Sequence, residues 1–518
     1  MHDPTRRYRG PALALLGLLL ALLAWPVVGR LGEPYPNSLQ GELTAWFAAM
    51  AENMAEHGLL DSKLMPHLDM DPTIPSESHR WYVTHPVLDV VIRARLVQSF
   101  GADEWVIRLQ GIVGCLGAAL ALFAWSSRRV SPLAATAAAV GMTMTPLWTD
   151  LALLSMHHPM TLALGMSGLV LADRSAGGSR LATIAAFVAL FLAMQTDWPG
   201  YFFAFVAWLG ALRGERADRR RILIGLPVLV AAAALVFWAH VDLWVGRPGL
   251  LLERLGGAAG GSPTPSVFTA EGGMRALRDL ISGFGWYGIA ALLAALAVAL
   301  GGREGRRWLA PWSALFAIGA LNYLAFPTKA PAHDFWGAHA LPLVGFSYGI
   351  CAEVLSEGLR RRLGDLAGWA TILALGLVAV ALVRTRDPRP EHTPEGAQHR
   401  QIADVVRATI PPEDRGLFVT VPIDFNLKLL AAYLRVEVLP LADFEIESAR
   451  ALPEIVDTYL YHLRGKRVLV FVPGGADPAF LAKREALVAF LREKGRPYDH
   501  PVATYWFDVT EWVWAKPE

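Results

Sequence analysis

Long apolar segments separated by short polar ones make up the first three quarters of the chain. Because about 20 apolar residues cross a bilayer as a helix, we predict about eleven membrane spans. They are placed at 11–29, 106–126, 132–148, 154–172, 181–195, 199–212, 222–242, 285–300, 308–326, 339–356 and 367–384. Composition agrees, since 54% of the residues are hydrophobic and 18% are charged. This balance is too apolar for a soluble protein of this length and indicates an α-helical polytopic membrane protein.

Basic residues collect in alternate loops and predict the orientation of the spans. These residues are Arg6, Arg7 and Arg9; Arg128 and Arg129; Arg174 and Arg180; Arg213 to Arg221; Arg303 to Arg307; and Arg360 to Arg362. Loops rich in Lys and Arg remain in the cytoplasm, so an odd number of spans places the C-terminal region outside. Residues 181–212 must then form two spans, because a single span would invert every later loop. The first apolar run has no small-x-small cleavage site before Arg30, which favours a retained anchor over a signal peptide.

The threading divides the chain into four parts. Residues 1–29 are the anchor helix, 30–105 a first external loop, 106–384 the helical bundle and 385–518 an extracytoplasmic soluble domain.

Helical periodicity in the loop predicts an interfacial helix over Leu39 to His57 and a second from Pro86 to Gly101. In the terminal domain we predict strands at 416–421, 435–439, 467–472 and 504–509, and helices at 400–409, 425–434, 449–464 and 478–494. This alternation is typical of a small α/β layer.

Acids and histidines lie at the ends of the apolar segments, and the threading brings them all to the external side. They are Glu42, His79, His85, Asp150, His157, His158, Asp197, Asp242, His333 and Asp334. Charged groups near a bilayer are costly and frequently functional. We therefore predict a polar site at the outer face.

Several of these residues have an ordinary structural interpretation beside the functional one. Glu42 is either an acid favoured by the dipole in a first helical turn or a general base. Asp150 and the pair His157 and His158 belong either to an interfacial turn or to the wall of a cavity. Adjacent histidines point in different directions from a helix, so the pair alone is a poor metal site.

Two other segments are more distinctive. Asp197 lies in a hairpin without Lys or Arg, and the aromatic belt of membrane proteins does not explain an acid there. Lys329 and His333 supply the positive charge among the short outer loops, which an anionic phosphate requires.

Four segments carry a resemblance to a known family. They are Glu42 at the start of the loop helix, the Thr84-His85-Pro86 helix start followed by residues 100–105 and Arg108, the hairpin 196–201, and the stretch from His333 to Pro342. In order and spacing they resemble the membrane glycosyltransferases that use polyprenyl-phosphate sugars. This is the glycosyltransferase family 39 type, with bacterial aminoarabinose transferases and protein O-mannosyltransferases. The resemblance covers most of residues 10–356.

The resemblance implies a GT-C fold and inverting transfer of a sugar from a polyprenyl-phosphate donor. The acceptor would be a lipid, a glycan or a protein, at the outer face of the cytoplasmic membrane. It makes Glu42 the candidate base, and Lys329 and His333 the candidates for holding the donor phosphate. Where the family usually has an Asp-Glu pair in the first loop, this chain has Gly41 before Glu42. The further substrate-binding candidates are Asp197, Asp334, His85, Asp150, His157, His158 and Arg93.

No metal-binding set is predicted, although a divalent ion remains possible. A transporter or flippase of a lipid-linked sugar is the main alternative, and it would place charged residues in mid-span and pair discontinuous helices in repeated halves. A non-catalytic family member is the other, which Gly41 leaves open. A nucleic-acid partner is not expected, because the net charge is only +1 and no nucleic-acid motif is present.

Overall fold

The structure is a computed structural model of the 518-residue chain. It describes residues 9–364, with gaps at 37–38, 68–80, 155, 176–177, 213–218, 253–264 and 303, and separate stretches between 370 and 515. His79 and most of the last predicted span, 367–384, lie outside the described residues.

Helices account for most of the described bundle. In chain order they are α1 Arg9–Val28, α2 Leu39–His57, α3 Leu88–Phe100, α4 Glu104–Ser126, α5 Pro132–Thr143, α6 Pro146–Leu153, α7 His158–Ser175, α8 Arg180–Thr196, α9 Pro199–Leu212, α10 Arg219–Ala239, α11 Ala270–Leu300, α12 Arg306–Ala325 and α13 Leu341–Leu363. A π-helical turn, His240–Trp244, follows α10, and two 3₁₀ segments, Ala330–Ala332 and Asp334–Ala340, precede α13.

Six of the described helical segments are long and apolar enough to cross a membrane. They are Gly10–Val28, Glu104–Ser126, Arg220–Trp244, Ala270–Leu300, Arg306–Ala325 and Phe335–Leu359. Shorter apolar helices lie at Pro132–Thr143, Arg180–Thr196 and Pro199–Leu212. The chain is therefore a multi-pass membrane protein, as the hydropathy pattern predicts. The total of eleven spans and their orientation stay predictions.

The predicted span 132–148 is wrong as a single helix. The chain leaves α5 after Thr143, and Thr145 caps α6 by accepting the backbone N–H of Trp148 at 3.3 Å. A proline at the first position of α6 suits a helix start, because its missing N–H would have no partner there. The hydroxyl of Tyr287 donates to the Met144 carbonyl at 2.9 Å, which satisfies part of the backbone opened by the break.

The predicted span 285–300 is the second half of a longer helix. Helix α11 begins at Ala270, capped by Thr269, and bends at Gly285, whose φ is 71°. That backbone conformation is open to glycine and costly for other residues. Apolar periodicity therefore identified only the part beyond the bend.

Contacts between Cα atoms divide the chain into two compact units. Unit 1, the bundle unit, comprises residues 1–32, 83–92 and 105–387. Unit 2, the external unit, comprises 33–82, 93–104 and 388–518.

The terminal domain of the external unit contains a mixed sheet. Its described strands are β1 Leu417–Thr420, β2 Glu437–Pro440, β3 Val468–Phe471, β4 Arg496–Pro497 and β5 Trp506–Asp508, in the order β2-β1-β3-β5-β4. The first three are parallel, and β5 is antiparallel to both β3 and β4. Helices α14 Ile446–Arg450, α15 Leu452–Tyr459, α16 Leu481–Lys494 and α17 Thr510–Val513 complete the described part. The four strands predicted from sequence are present, and β4 was not predicted.

Candidate functional site

A buried carboxylate joins two histidines from distant parts of the bundle unit. Asp197 Oδ1 lies 2.9 Å from His85 Nδ1, and Asp197 Oδ2 lies 3.3 Å from His157 Nε2. The Asp197 side chain is 2% exposed, whereas that of His85 is 23% exposed. The two imidazole rings stack with centroids 4.6 Å apart. We call His85, His157 and Asp197 the His–Asp cluster.

Asp197 lies between the end of α8 and the start of α9. Its own chain turns back at once: Asp197 Oδ1 accepts the Trp198 N–H at 2.8 Å, and its carbonyl accepts the Gly200 N–H. A carboxylate before a helix start is favoured by the dipole of that helix. Gly200 is required for the tight turn, because a Cβ there would lie 2.4 Å from the Ala193 backbone. Donors from three residues thus offset the cost of burying this acid.

The segment carrying His85 is fastened to the same turn. Trp198 Nε1 donates to the Thr84 carbonyl at 2.8 Å, and the Trp198 ring packs against Phe237 and Tyr201. His85 lies in the bend before α3 rather than within a helix. Its position therefore follows that of the α8–α9 hairpin.

Arg108 fixes the connection that presents His157. Its guanidinium donates to the carbonyls of Leu153, Arg30 and Leu31 at 3.1, 3.2 and 2.9 Å. These carbonyls close the end of α6 and the end of the anchor segment. Arg108 is 3% exposed, so its charge serves the backbone and is not directed to solvent.

More histidines continue from the cluster into the bundle. His158 stacks on His157 at 4.4 Å and lies 5.3 Å from His339 and 5.2 Å from Phe335, measured between ring centroids. His333 in turn stacks on Phe335, with ring centroids 5.0 Å apart. The predicted residues His85, His157, His158 and His333 thus belong to one series of contacting rings that includes Phe335, and Asp197 contacts its first two members.

Sequence reasoning did not single out His339, which is buried in this series. Its Nδ1 lies 3.5 Å from Nδ2 of the buried Asn322. The spacing would have been informative in a 3₁₀ segment, where about three residues make a turn and residues 333, 336 and 339 share a face. Read with an α-helical period of about 3.6, the same positions separate.

Three other predicted residues lie elsewhere in the bundle unit. Asp150 is 9% exposed within α6, two residues after Trp148. Lys329 is half-buried and precedes the 3₁₀ turn Ala330–Ala332, which His333 follows. Asp334 begins the next 3₁₀ segment, and its side chain lies outside the described part of the chain.

Glu42 and Arg93 belong to the external unit. Glu42 is half-buried in the first turn of α2. Arg93 is 0% exposed, and its guanidinium lies over the Phe47 ring at 5.6 Å. Arg93 therefore packs against α2.

The structure explains why an acid does not precede Glu42. A Cβ on Gly41 would lie 1.8 Å from the Pro36 carbonyl oxygen, so any side chain there would collide with backbone. The approach to α2 folds directly onto the first turn of the helix. The Asp-Glu pair expected from the resemblance is thus incompatible with this local fold, and Glu42 is the acid present there.

We expect Gly41→Ala to destabilise the start of α2. Overpacking against backbone typically costs about 1–3 kcal/mol. The apparent melting temperature in detergent should fall below that of the wild type. Gly32→Ala is the matched control, because a Cβ at Gly32 meets nothing within 4 Å. Equal melting temperatures for Gly41→Ala and the wild type would contradict the close approach to Pro36.

The His–Asp cluster has the chemistry of a metal site as well as that of a hydrogen-bonded network. One ligand atom from each of its three residues lies within 4.8 Å of the others, and imidazole nitrogens with a carboxylate oxygen suit Zn²⁺ and similar ions. The separations of 2.9 and 3.3 Å are also within hydrogen-bond distance, so the Asp197 carboxylate can accept from both rings.

An apolar cavity of about 480 Å³ lies at the opposite end of α7 from this cluster. The ion pair between Arg129 and Asp173 is among its walls. Fifteen residues along α7 separate His158 from Asp173, or about 22 Å. The cavity is therefore distinct from the polar site.

Comparisons with known proteins support the fold. No family model and no curated protein matches the chain. Its structure is similar to that of ArnT from Cupriavidus metallidurans bound to undecaprenyl phosphate, with 14% identity, TM-score 0.61 and 98% of this chain covering 99% of that one. The apo state of the same protein gives 13% identity, 98% and 100% coverage and a TM-score of 0.57.

The archaeal oligosaccharyltransferase AglB from Archaeoglobus fulgidus, in complex with an inhibitory peptide and a dolichol-phosphate, is also similar. The identity is 13%, the TM-score is 0.54, and the match covers 98% of this chain and 75% of that one. These likenesses show that the chain has the GT-C fold of membrane glycosyltransferases, which confirms the fold expected from the sequence.

Proposed function

We propose that this protein is an inverting glycosyltransferase that moves a sugar from a polyprenyl phosphate to an acceptor at the outer face of the cytoplasmic membrane. The observation that carries the proposal is the buried His–Asp cluster at one end of a GT-C bundle. ArnT and AglB, the proteins with similar structures, were solved with undecaprenyl phosphate and a dolichol-phosphate. A lipid-phosphate donor is therefore the substrate class that the fold supports best.

The reaction breaks the bond between the anomeric carbon and the phosphate oxygen and forms a bond from that carbon to an acceptor oxygen. The leaving phosphate keeps the bonding electrons, so positive groups near it lower the barrier. The acceptor hydroxyl loses its proton to a base. Free polyprenyl phosphate and a glycosylated acceptor are the products.

Asp197 organises the donor side in this proposal. Its two oxygens fix which nitrogen of each ring carries a proton and direct Nε2 of His85 away from the carboxylate. His85 then donates a hydrogen bond from this nitrogen to a phosphate oxygen, together with His333 and Lys329. The exposed fraction of His85 supports this role, because it is larger than that of His157.

Glu42 is proposed as the base. Its place in the first turn of a helix, after a chain segment that excludes a second acid, supports a single carboxylate in this role. The acceptor is a lipid, a glycan or a protein, and the sugar is a hexose or a pentose.

Mass spectrometry of cells with and without the gene tests the proposal. Without the gene, one hexose or pentose should disappear from a lipid, glycan or protein while the matching polyprenyl-phosphate sugar accumulates. A flippase would instead leave the donor chemically unchanged on the wrong side of the membrane. A non-catalytic member would leave both pools unaltered.

A divalent ion at the His–Asp cluster is a second proposal, supported by the ligand set. When bound, such an ion would supply positive charge for the leaving phosphate. We expect purified protein to retain about one equivalent of a divalent metal, measured by elemental mass spectrometry. His157→Ala should lose it and His240→Ala, outside the cluster, should keep it. Sugar transfer by metal-free wild-type protein would contradict the proposed metal ion. The His–Asp cluster would then act as a hydrogen-bonded network.

A further inference from the structure

Two neighbouring residues of the terminal domain contact the segment that carries Glu42, before and after that residue. Tyr433 and Arg435 both precede strand β2, Tyr433 in a helical turn and Arg435 in the turn that follows it. Tyr433 meets the chain just before α2, and Arg435 meets the second half of α2. All these residues belong to the external unit.

Arg435 makes a fork onto one face of α2. Its Nη1 donates to Glu52 Oε2 at 2.8 Å and to Glu56 Oε1 at 2.9 Å, and its Nη2 donates to Asn53 Oδ1 and to Glu56 Oε2. Its side chain is 10% exposed. Burial alone would lower the pKa of Arg435, but Glu52 and Glu56 outweigh it and raise that pKa. The guanidinium geometry suits several acceptors at once, which a lysine does not reproduce.

Tyr433 holds the approach to α2. Its hydroxyl accepts the Tyr35 backbone N–H at 2.8 Å, and the two tyrosine rings stack at 5.4 Å. The same hydroxyl donates to Glu104 Oε1 at 3.4 Å, and Arg400 Nη1 reaches that oxygen at 2.9 Å. Residue 35 is followed by Pro36, which packs against Gly41 at the first turn of α2.

These contacts are separate from the apolar core of the terminal domain. That core is built around Val419, Leu452, Val470 and Leu491, from the sheet and its covering helices. The backbone of Arg435 has a positive φ of 58°, which is a strained conformation for a non-glycine residue. Removing the Arg435 side chain therefore removes its contacts with α2, while the residues of the domain's own apolar core stay unchanged.

We propose that Arg435 and Tyr433 are positioning residues through which the terminal domain fixes helix α2, and with it Glu42, for the transfer reaction. The catalytic role of Glu42 rests on the proposed function. The placement of α2 by the terminal domain is independent of it.

The first test measures the mobility of α2 in the full-length protein. A spin label attached at Leu43→Cys, next to Glu42, reports the local motion without requiring activity. Arg435→Met should increase the mobility of this label, whereas Arg450→Met should not. Arg450 is the matched control, since it is an exposed arginine of the same domain that pairs with Glu447 on its own helix. Unchanged label mobility in Arg435→Met would overturn the proposal.

The second test measures transfer kinetics. Arg435→Met should lower kcat at least about tenfold, with the donor KM within about twofold of the wild type, because the proposed donor-holding residues lie in the bundle unit. Arg435→Lys should recover part of the loss. Adding Glu52→Gln and Glu56→Gln to Arg435→Met should lower kcat little further, since all three changes remove the same set of contacts.

The outcomes separate the two ideas. An inactive wild type with increased label mobility in Arg435→Met would reject the proposed function and support the positioning of α2. An active wild type whose kcat survives Arg435→Met would reject the positioning role for catalysis. A change in the donor KM alone, with kcat unchanged, would also reject the positioning role for catalysis.

Discussion

Asp197→Ala should reduce sugar transfer by at least about 100-fold. The substitution removes the carboxylate that orients His85 and His157 and leaves buried donors without their acceptor. Each unsatisfied buried donor costs about 1–3 kcal/mol. A 100-fold loss of rate corresponds to about 2.7 kcal/mol of activation free energy, which is of the same size. The measurement is the initial rate at which the donor lipid loses its sugar, compared with the wild type at equal protein amount.

Asp197→Asn should also be impaired, because an amide nitrogen would face one of the two ring N–H groups. Asp173→Asn is the matched control: it alters a partly exposed acid of the same unit that pairs with Arg129 beside the apolar cavity. Its rate should stay within about threefold of the wild type. Normal transfer by Asp197→Ala would exclude a role of the His–Asp cluster in the reaction.

Glu42→Gln should lower kcat by about 100-fold to 10,000-fold, the range typical of a lost general base. Glutamine keeps the size of the side chain and removes its ability to take a proton. Donor binding should persist, so binding of polyprenyl phosphate is measured alongside turnover.

Glu33→Gln provides the control for Glu42. It changes a half-buried acid nine residues earlier in the same external segment, and we expect no more than a threefold change in rate. If Glu42→Gln transferred sugar at the wild-type rate, Glu42 would be excluded as the base, and the acceptor proton would need another destination.

The helical bundle was predictable because its signal is local. Apolar runs gave helices near α4, α7, α8, α9 and α12 with ends within a few residues. The prediction failed where polarity does not mark the break. Met144 and Thr145 interrupt an apolar run through backbone geometry and a cap, and Gly285 bends α11 without changing its composition.

The candidate site was predictable in its members but not in its pairings. His85, His157 and Asp197 were each singled out by their position at the end of an apolar segment, yet His85 and Asp197 are 112 residues apart in sequence. Nothing in the local pattern shows which acid faces which ring. The folded hairpin brings them together, with Trp198 bonded to the Thr84 carbonyl.

Gly41 shows the reverse case. Comparison with the family pattern made it a missing acid, whereas the structure makes it a steric requirement of the chain folding back from Pro36. The sequence shows that residue 41 is a glycine. The reason for the glycine is the contact with Pro36, five residues earlier, which the fold creates.

Sugar transfer is measured directly with purified protein and membranes from cells that lack the gene, which supply both the accumulated donor and the acceptor. Donor lipid and free polyprenyl phosphate are followed by mass spectrometry after the protein is added. We expect wild-type protein to convert the polyprenyl-phosphate sugar to polyprenyl phosphate, with an equal molar gain of that sugar on an acceptor, and Asp197→Ala to leave the donor unchanged. A donor pool that stays intact in the presence of folded wild-type protein would contradict the proposed function.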